Sequence, residues 1–305
     1  MLQNKIKNKQ SGILLYGLTP PKIDINESKI ESIAKKQINR LQNISLDGLI
    51  LYDIQDESSR TDIPRPFPFS PTLSPEVYSK NYLQGLEIPK IIYKSVVKYS
   101  PIELEKWIQE NEKEIGLSVF VGSPSKTQQN NLSLVQAYEI KKSTHSPILL
   151  GGVTIPERHA KKGDEHLRII QKSEKGCTFF VSQCVYNINQ TKDFLSDYYY
   201  ASLEQNRPLV PIIFTLTPCG SLKTLEFMEW LGVHVPKWLY NDLKSSNDIL
   251  AQSVHACKNI AIEIIEYAKA KNIPVGFNIE SVSIRKEEID ASIELLKEVK
   301  KLMEL

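Results

Sequence analysis

Eight short apolar runs, each followed by a segment with helical periodicity, set the frame of this chain. The runs fall at 13–19, 46–53, 90–97, 117–121, 147–154, 178–186, 209–217 and 274–279. They are rich in Ile, Val, Leu, Phe and Tyr and nearly continuous in hydrophobicity, as expected of strands covered on both faces. Helical segments are predicted at 27–41, 75–86, 100–112, 131–142, 165–175, 191–205, 221–231 and 286–305, with an extra helical stretch near 235–271. Strands joined by helix-sized connections pair in parallel. Eight such units in 305 residues fit an α/β chain folded as one (β/α)8 TIM barrel over 1–305. A doubly wound open sheet shares this periodicity, while the size and order of the units favour the closed barrel.

Local signals sharpen the reading. Ser100-Pro101-Ile102-Glu103 combines an N-cap, a proline in the first turn and a glutamate at the third helical position, which together start a helix. Gly176 ends the helix before the sixth strand. Residues 54–74 are rich in Pro, Ser, Asp and Arg without a helical period, so they form a long loop of the kind that usually serves function.

Charge narrows the ligand class. The 38 basic and 36 acidic residues leave a net charge of +2, which gives no basis for binding nucleic acid or an anionic membrane. No apolar run approaches the ~20 residues of a membrane span. The opening MLQNKIKNKQSG is polar and basic and lacks a signal-peptide core. Cys177, Cys184, Cys219 and Cys257 form no CxxC pair, which points to reduced thiols and a cytoplasmic protein.

In a barrel of this kind the ligand site lies at the C-terminal ends of the strands. That rule selects Thr19, Tyr52, Asp53 and the following Arg60, Lys94, Ser123, Gly151-Gly152, Glu157, Gln183, Tyr186, Thr217, Asn278 and Glu280. Gln183 interrupts the apolar run TFFVSQCVY, where an amide either satisfies buried backbone or reads a planar polar edge. Glu280 follows VGFNI and is either a solvated carboxylate or a ligand contact. Gly151-Gly152 allows close approach of a ligand or of a packing partner. Asp164, Glu165, His159 and His166 match no ligand spacing, so no metal is expected. G-x-S-x-G is absent, so no hydrolase elbow is expected.

Several segments resemble the methylenetetrahydrofolate reductase family. Gly176-Cys177-Thr178-Phe179-Phe180-Val181-Ser182-Gln183-Cys184-Val185-Tyr186 is similar to the family's GA-aromatic-TQ-aromatic-D strand. Val233-His234-Val235-Pro236-Lys237-Trp238 is similar to its V-x-[IV]-P-x-W segment, and Leu18-Thr19-Pro20-Pro21-Lys22 to its F-x-P-P-[RK] opening. The resemblance implies a TIM barrel that reduces a methylene-folate to a methyl-folate. Gln183 would bond the pterin, Tyr186 would lie near the stacked rings, and Asp53 would face the substrate. Lys172 and Glu165 would hold the phosphate and sugar of FAD, with Ser123 and Arg60 on the same cofactor side.

Departures from the pattern matter as much. Gly17 stands where the family carries the glutamate that protonates the folate nitrogen. Tyr93-Lys94-Ser95 replaces H-L-T, which would place Lys94 against a flavin, and Val121-Gly122-Ser123 replaces R-G-D. Phe277-Asn278-Ile279-Glu280-Ser281 resembles the family's flavin-independent branch. Hydride would therefore come from NADH or NADPH, directly or through FAD. A general acid is still required, and Glu280, with Glu157 and Asp53 behind it, is the expected replacement. The alternatives are a non-catalytic folate- or flavin-binding barrel, including a partner subunit, and a barrel that transfers a methyl group without redox chemistry. A homo-oligomer is compatible with each.

Overall fold

The computed structural model describes residues 1–58, 61–123 and 131–304. Its centre is a closed barrel of eight parallel strands paired in chain order. These are β1 (Ile13–Leu18), β2 (Gly48–Leu51), β3 (Lys90–Ser95), β4 (Leu117–Val121), β5 (Leu149–Thr154), β6 (Cys177–Cys184), β7 (Ile212–Leu216) and β8 (Val275–Glu280). β8 returns to β1 with Gly17 opposite Glu280, which closes the ring. The open-sheet alternative is thereby excluded.

Side-chain alternation along each strand divides the apolar residues into two cores. Ile13, Leu15, Ile50, Ile91, Tyr93, Leu117, Val119, Phe179, Val181 and Ile213 fill the lumen. Leu14, Tyr16, Ile92, Phe120, Phe180, Phe214 and Phe277 point outward against the helices. The two glycines of β5 belong to this packing: a Cβ at Gly151 would lie 2.5 Å from the Phe179 ring, and one at Gly152 2.8 Å from Phe180. Their role is to admit the aromatic rings of β6, and losing a ring such as Phe179 should cost about 3–5 kcal/mol.

The floor of the barrel holds an element the sequence reading left as a polar tail. Helix α1 (Leu2–Lys7) places Leu2 and Ile6, one turn apart, against the lumen core. Lys5 fixes it through Asp47 at 2.8 Å and the Gly12 carbonyl at 2.9 Å. Helices α2 (Glu27–Leu41), α3 (Pro75–Tyr82), α4 (Pro101–Asn111) and α5 (Leu134–Ser143) follow the first four strands. The capping box foreseen at Ser100 and Glu103 is formed. After β5 come two helices, α6 (Pro156–Lys162) and α7 (Glu165–Glu174), joined through Gly163 in the left-handed region at φ 65°. α6 was not foreseen, because seven residues give too few turns for a visible period. The ring continues with α8 (Ile188–Glu204), α9 (Leu222–Trp230), α10 (Lys237–Ser245), α11 (Ile249–Lys271) and α12 (Lys286–Met303). No helix among the described residues is long and apolar enough to cross a membrane.

Candidate functional site

Above the apolar lumen core the inward positions turn polar. β8 contributes Asn278 and Glu280, β7 contributes Thr215, and Tyr52 stands just past β2. The Asn278 amide donates to the Tyr52 hydroxyl at 2.9 Å, to Thr215 Oγ1 at 3.2 Å and to Glu280 Oε2 at 3.4 Å. Its Oδ1 is buried and has no partner among the described residues. Tyr52 meets Tyr93 edge to face at 4.8 Å. Thr217 pins the end of β8 by donating to the Glu280 carbonyl at 2.7 Å.

Glu280 sits between these groups. Burial pushes its carboxyl above the usual glutamate value, and hydrogen bonds from Tyr52 and Asn278 offset part of that rise. Burial and the neighbouring Glu280 push the Tyr52 phenol well above its ordinary value, so it remains a donor. Gly17 on β1 makes room for this arrangement. A Cβ there would lie 2.8 Å from Glu280 Oε2 and 2.9 Å from the Tyr52 ring. The Glu280 carboxylate thus fills the space that a side chain at position 17 would occupy.

Gln183 lies two residues past lumen-facing Val181, within a register shift of β6 against β7, and is half-buried. Its Nε2 donates to the Leu231 carbonyl at 2.7 Å, just past α9, which fixes the amide's orientation. Asp53 accepts from the Ser95 backbone N–H at 2.8 Å and from Lys98 Nζ at 2.6 Å, tying the ends of β2 and β3 together. Beside it, Ile54, Gln55, Phe69, Thr72, Val97 and Lys98 line a cavity of about 370 Å³. Tyr186 takes the other side of the wall. It is buried in the outer core and donates to the Thr217 carbonyl at 2.7 Å, so it does not line the lumen as the resemblance implied.

The residues carried over for FAD are engaged within the protein. Glu165 is fully buried and accepts from the Ile155 backbone N–H at 2.9 Å and from Thr154 Oγ1 at 3.1 Å. Its second oxygen meets Arg158 at 3.3 Å and Arg168 at 3.5 Å. Lys172 Nζ donates to the Val153 carbonyl at 2.5 Å, and burial lowers its pKa. A buried, bonded carboxylate and an inward-turned ammonium do not fit a ribose and a diphosphate. Lys94 also departs from expectation. It points out of the barrel, 2.7 Å from Glu76 and over the rings of Tyr99 and Trp107, because Tyr93 takes the inward register. Ser123 lies two residues past β4 and is engaged in contacts of its own. Arg60 lies outside the described residues.

Other features were not legible from sequence. The loop after β2 reaches to α9. Trp230 Nε1 donates to the Ile63 carbonyl at 2.8 Å. Phe67 stands edge-on to Phe227, and the Arg65 guanidinium lies 5.2–5.3 Å from the rings of Phe69, Phe227 and Trp230. Glu157, read from the sequence as a fallback acid, starts α6 and is buried with neither oxygen hydrogen-bonded among the described residues. Burial pushes its carboxyl up to about 8, and the nearby Glu165 adds to the rise. His159, His166 and Asp197 converge outside the barrel, although Asp197 is far from both histidines in sequence.

A sequence model of the methylenetetrahydrofolate reductase family matches residues 122–293. Among solved structures, an uncharacterized protein from Clostridium thermocellum, described as binding two copies of 5-methyl-5,6,7,8-tetrahydrofolic acid, shares 50% identity. The match covers 99% of this chain and 99% of that chain, with a TM-score of 0.89. 2,3-Dimethylmalate lyase matches at 12% identity over 97% of this chain and 93% of that chain, with a TM-score of 0.44. A psychrophilic family 10 xylanase matches at 9% identity over 98% and 99%, with a TM-score of 0.48. The last two are too distant to inform function. No curated protein matches the chain.

Proposed function

Because the chain belongs to the methylenetetrahydrofolate reductase family, we propose that its barrel mouth binds a methylene-folate and reduces it to the methyl-folate, using NADH or NADPH. The observation that carries this reading is the position of Glu280, whose carboxylate oxygen lies 2.8 Å from where a Cβ at Gly17 would stand. The acid that the family carries on β1 is supplied here from β8, its neighbour in the closed ring.

In this mechanism the protonated Glu280 gives its proton to the nitrogen of the bridging ring. The carbon–nitrogen bond breaks, its electron pair stays on that nitrogen, and the methylene carbon becomes an iminium. Hydride from NAD(P)H then reduces that carbon to methyl and leaves NAD(P)+. Burial favours the protonated carboxyl that the first step needs, and Tyr52 and Asn278 steady the carboxylate left behind. Gln183, oriented through Leu231, offers its remaining amide donor and acceptor to the pterin edge. Direct hydride transfer is the form we adopt, since Glu165 and Lys172 are committed to bonds within the chain. These reactants suit a reducing cytoplasm, in which the four buried cysteines stay free.

The test is loss of NADH or NADPH absorbance that depends on methylene-folate, with methyl-folate identified as product. Absence of turnover with either nucleotide, and with added reduced flavin, would sink the reading. The second reading, a folate-binding barrel without redox turnover, is favoured by one observation: the Clostridium thermocellum relative is described as holding the methyl form. Tight methyl-folate binding without nucleotide oxidation would select it.

A further inference from the structure

Outside the lumen, three helices bring two imidazoles and a carboxylate to one point. His159 lies on α6, His166 in the first turn of α7 and Asp197 on α8. One ligand atom from each lies within 4.8 Å of the others. His159 is buried, and its Nε2 is 3.0 Å from Asp197 Oδ2. The two rings meet edge to face with centroids 5.3 Å apart. Nδ1 of His159 and Nδ1 of His166 are both buried without a hydrogen-bond partner among the described residues. Unpaired buried polar atoms are costly, and a cation seated on His159 Nε2 would give His166 Nδ1 the partner it lacks among the described residues.

We propose that His159, His166 and Asp197 form a binding site for a zinc-class divalent ion, with water as the fourth ligand. Two imidazoles and one carboxylate suit Zn(II), whereas calcium and magnesium favour all-oxygen shells. A tetrahedral ion with arms of 2.0–2.1 Å holds its ligand atoms about 3.3 Å apart. The donors therefore need to draw together, and Asp197, whose side chain is 54% exposed, has the freedom to move. The ion would take the place of the proton between His159 Nε2 and Asp197 Oδ2. It would also link α6 and α7 to α8. Glu165 follows directly in this region and holds Thr154 and Ile155 at the end of β5, so the ion would brace the wall behind the mouth.

The test uses the full chain, stripped by chelator and dialysed. Zn(II) is titrated against a competing chromophoric chelator, and Co(II) is added separately for its absorption spectrum. The expected result is one equivalent of Zn(II), a melting midpoint raised by several degrees, and tetrahedral cobalt bands without a thiolate charge-transfer band. His159 is buried, so the variants are Asp197→Asn and His166→Gln, with their metal-free melting midpoints as fold controls. Each should weaken Zn(II) binding at least tenfold. Binding that is absent, unchanged in both variants, or accompanied by a thiolate band from one of the four cysteines would overturn the site. Loss of affinity in neither variant would also identify His159–Asp197 as a plain hydrogen bond.

Discussion

Glu280, half-buried at the lumen mouth, and Glu165, fully buried behind the wall, have surroundings that give them opposite characters. Glu165 accepts from a backbone N–H, a hydroxyl and the Arg158 guanidinium and pairs with Arg168 at 3.5 Å, so both its oxygens are committed to structure. Glu280 faces a phenol and an amide at the lumen mouth, and its pKa is raised. The difference comes from the strand face and the number of donors. Donors that crowd a carboxylate fix it in place, whereas burial with few donors favours the protonated form. By this logic the β1–β8 side of the mouth is where proton transfer is expected, and the Glu165 contacts behind the end of β5 are scaffold.

Glu280→Gln is the sharpest way to break the contrast. It keeps the shape and removes the proton, so turnover should fall about 10²–10⁴-fold, with little change in the unfolding midpoint. The pH profile gives the same test a sign. The active form is the protonated acid, so wild-type turnover should hold below the raised Glu280 value and decline as pH rises through it. The variant should lack that limb. Full activity in Glu280→Gln would move the acid to another residue or to solvent.

Gly17→Ala probes the same contact from the other strand. The added methyl would stand 2.8 Å from Glu280 Oε2, so the carboxylate must shift. Turnover should drop about 10²-fold if the acid's position matters, the scale associated with a misplacement of about 1 Å. A variant with wild-type kcat would show that position to be tolerant.

Gln183→Ala tests the substrate side. It should weaken methyl-folate binding in a calorimetric titration by about 1–3 kcal/mol, the cost of leaving a polar partner unpaired. Unchanged affinity would remove Gln183 from the pterin. Glu165→Gln should behave in the reverse sense. Urea unfolding should show a loss of about 1–3 kcal/mol, while turnover per folded molecule stays the same. Lost turnover without lost stability there would reverse the assignment of the two regions.

Much of the fold was legible because strand and helix periods are local. Gln183 and Glu280 could be singled out because a polar residue in or after an apolar run is visible without knowing its neighbours. Placing Glu280 beside Gly17 required only ring closure, which makes the last strand adjacent to the first. The misplacements have a common cause. Tyr186 and Lys94 are near strand ends, but they face the helices, and motif position alone does not reveal strand face. Helix α1 escaped notice because only Leu2 and Ile6 mark its apolar side. The His159–Asp197 contact and the Arg65 stack join residues from separate elements, and no local pattern encodes them.

The tether between the β2 loop and α9 has a practical consequence for watching this protein at work. Trp230 is bonded to the Ile63 carbonyl and lies beside the Arg65 cation, whereas Trp107 is buried beside Glu76 and Lys94, and Trp238 is exposed on α10. Indole emission responds to both hydrogen bonding and nearby charge, so Trp230 is a built-in optical reporter of whether the loop stays tethered to α9. With the other two indoles replaced, its fluorescence would time ligand arrival and departure without any attached dye.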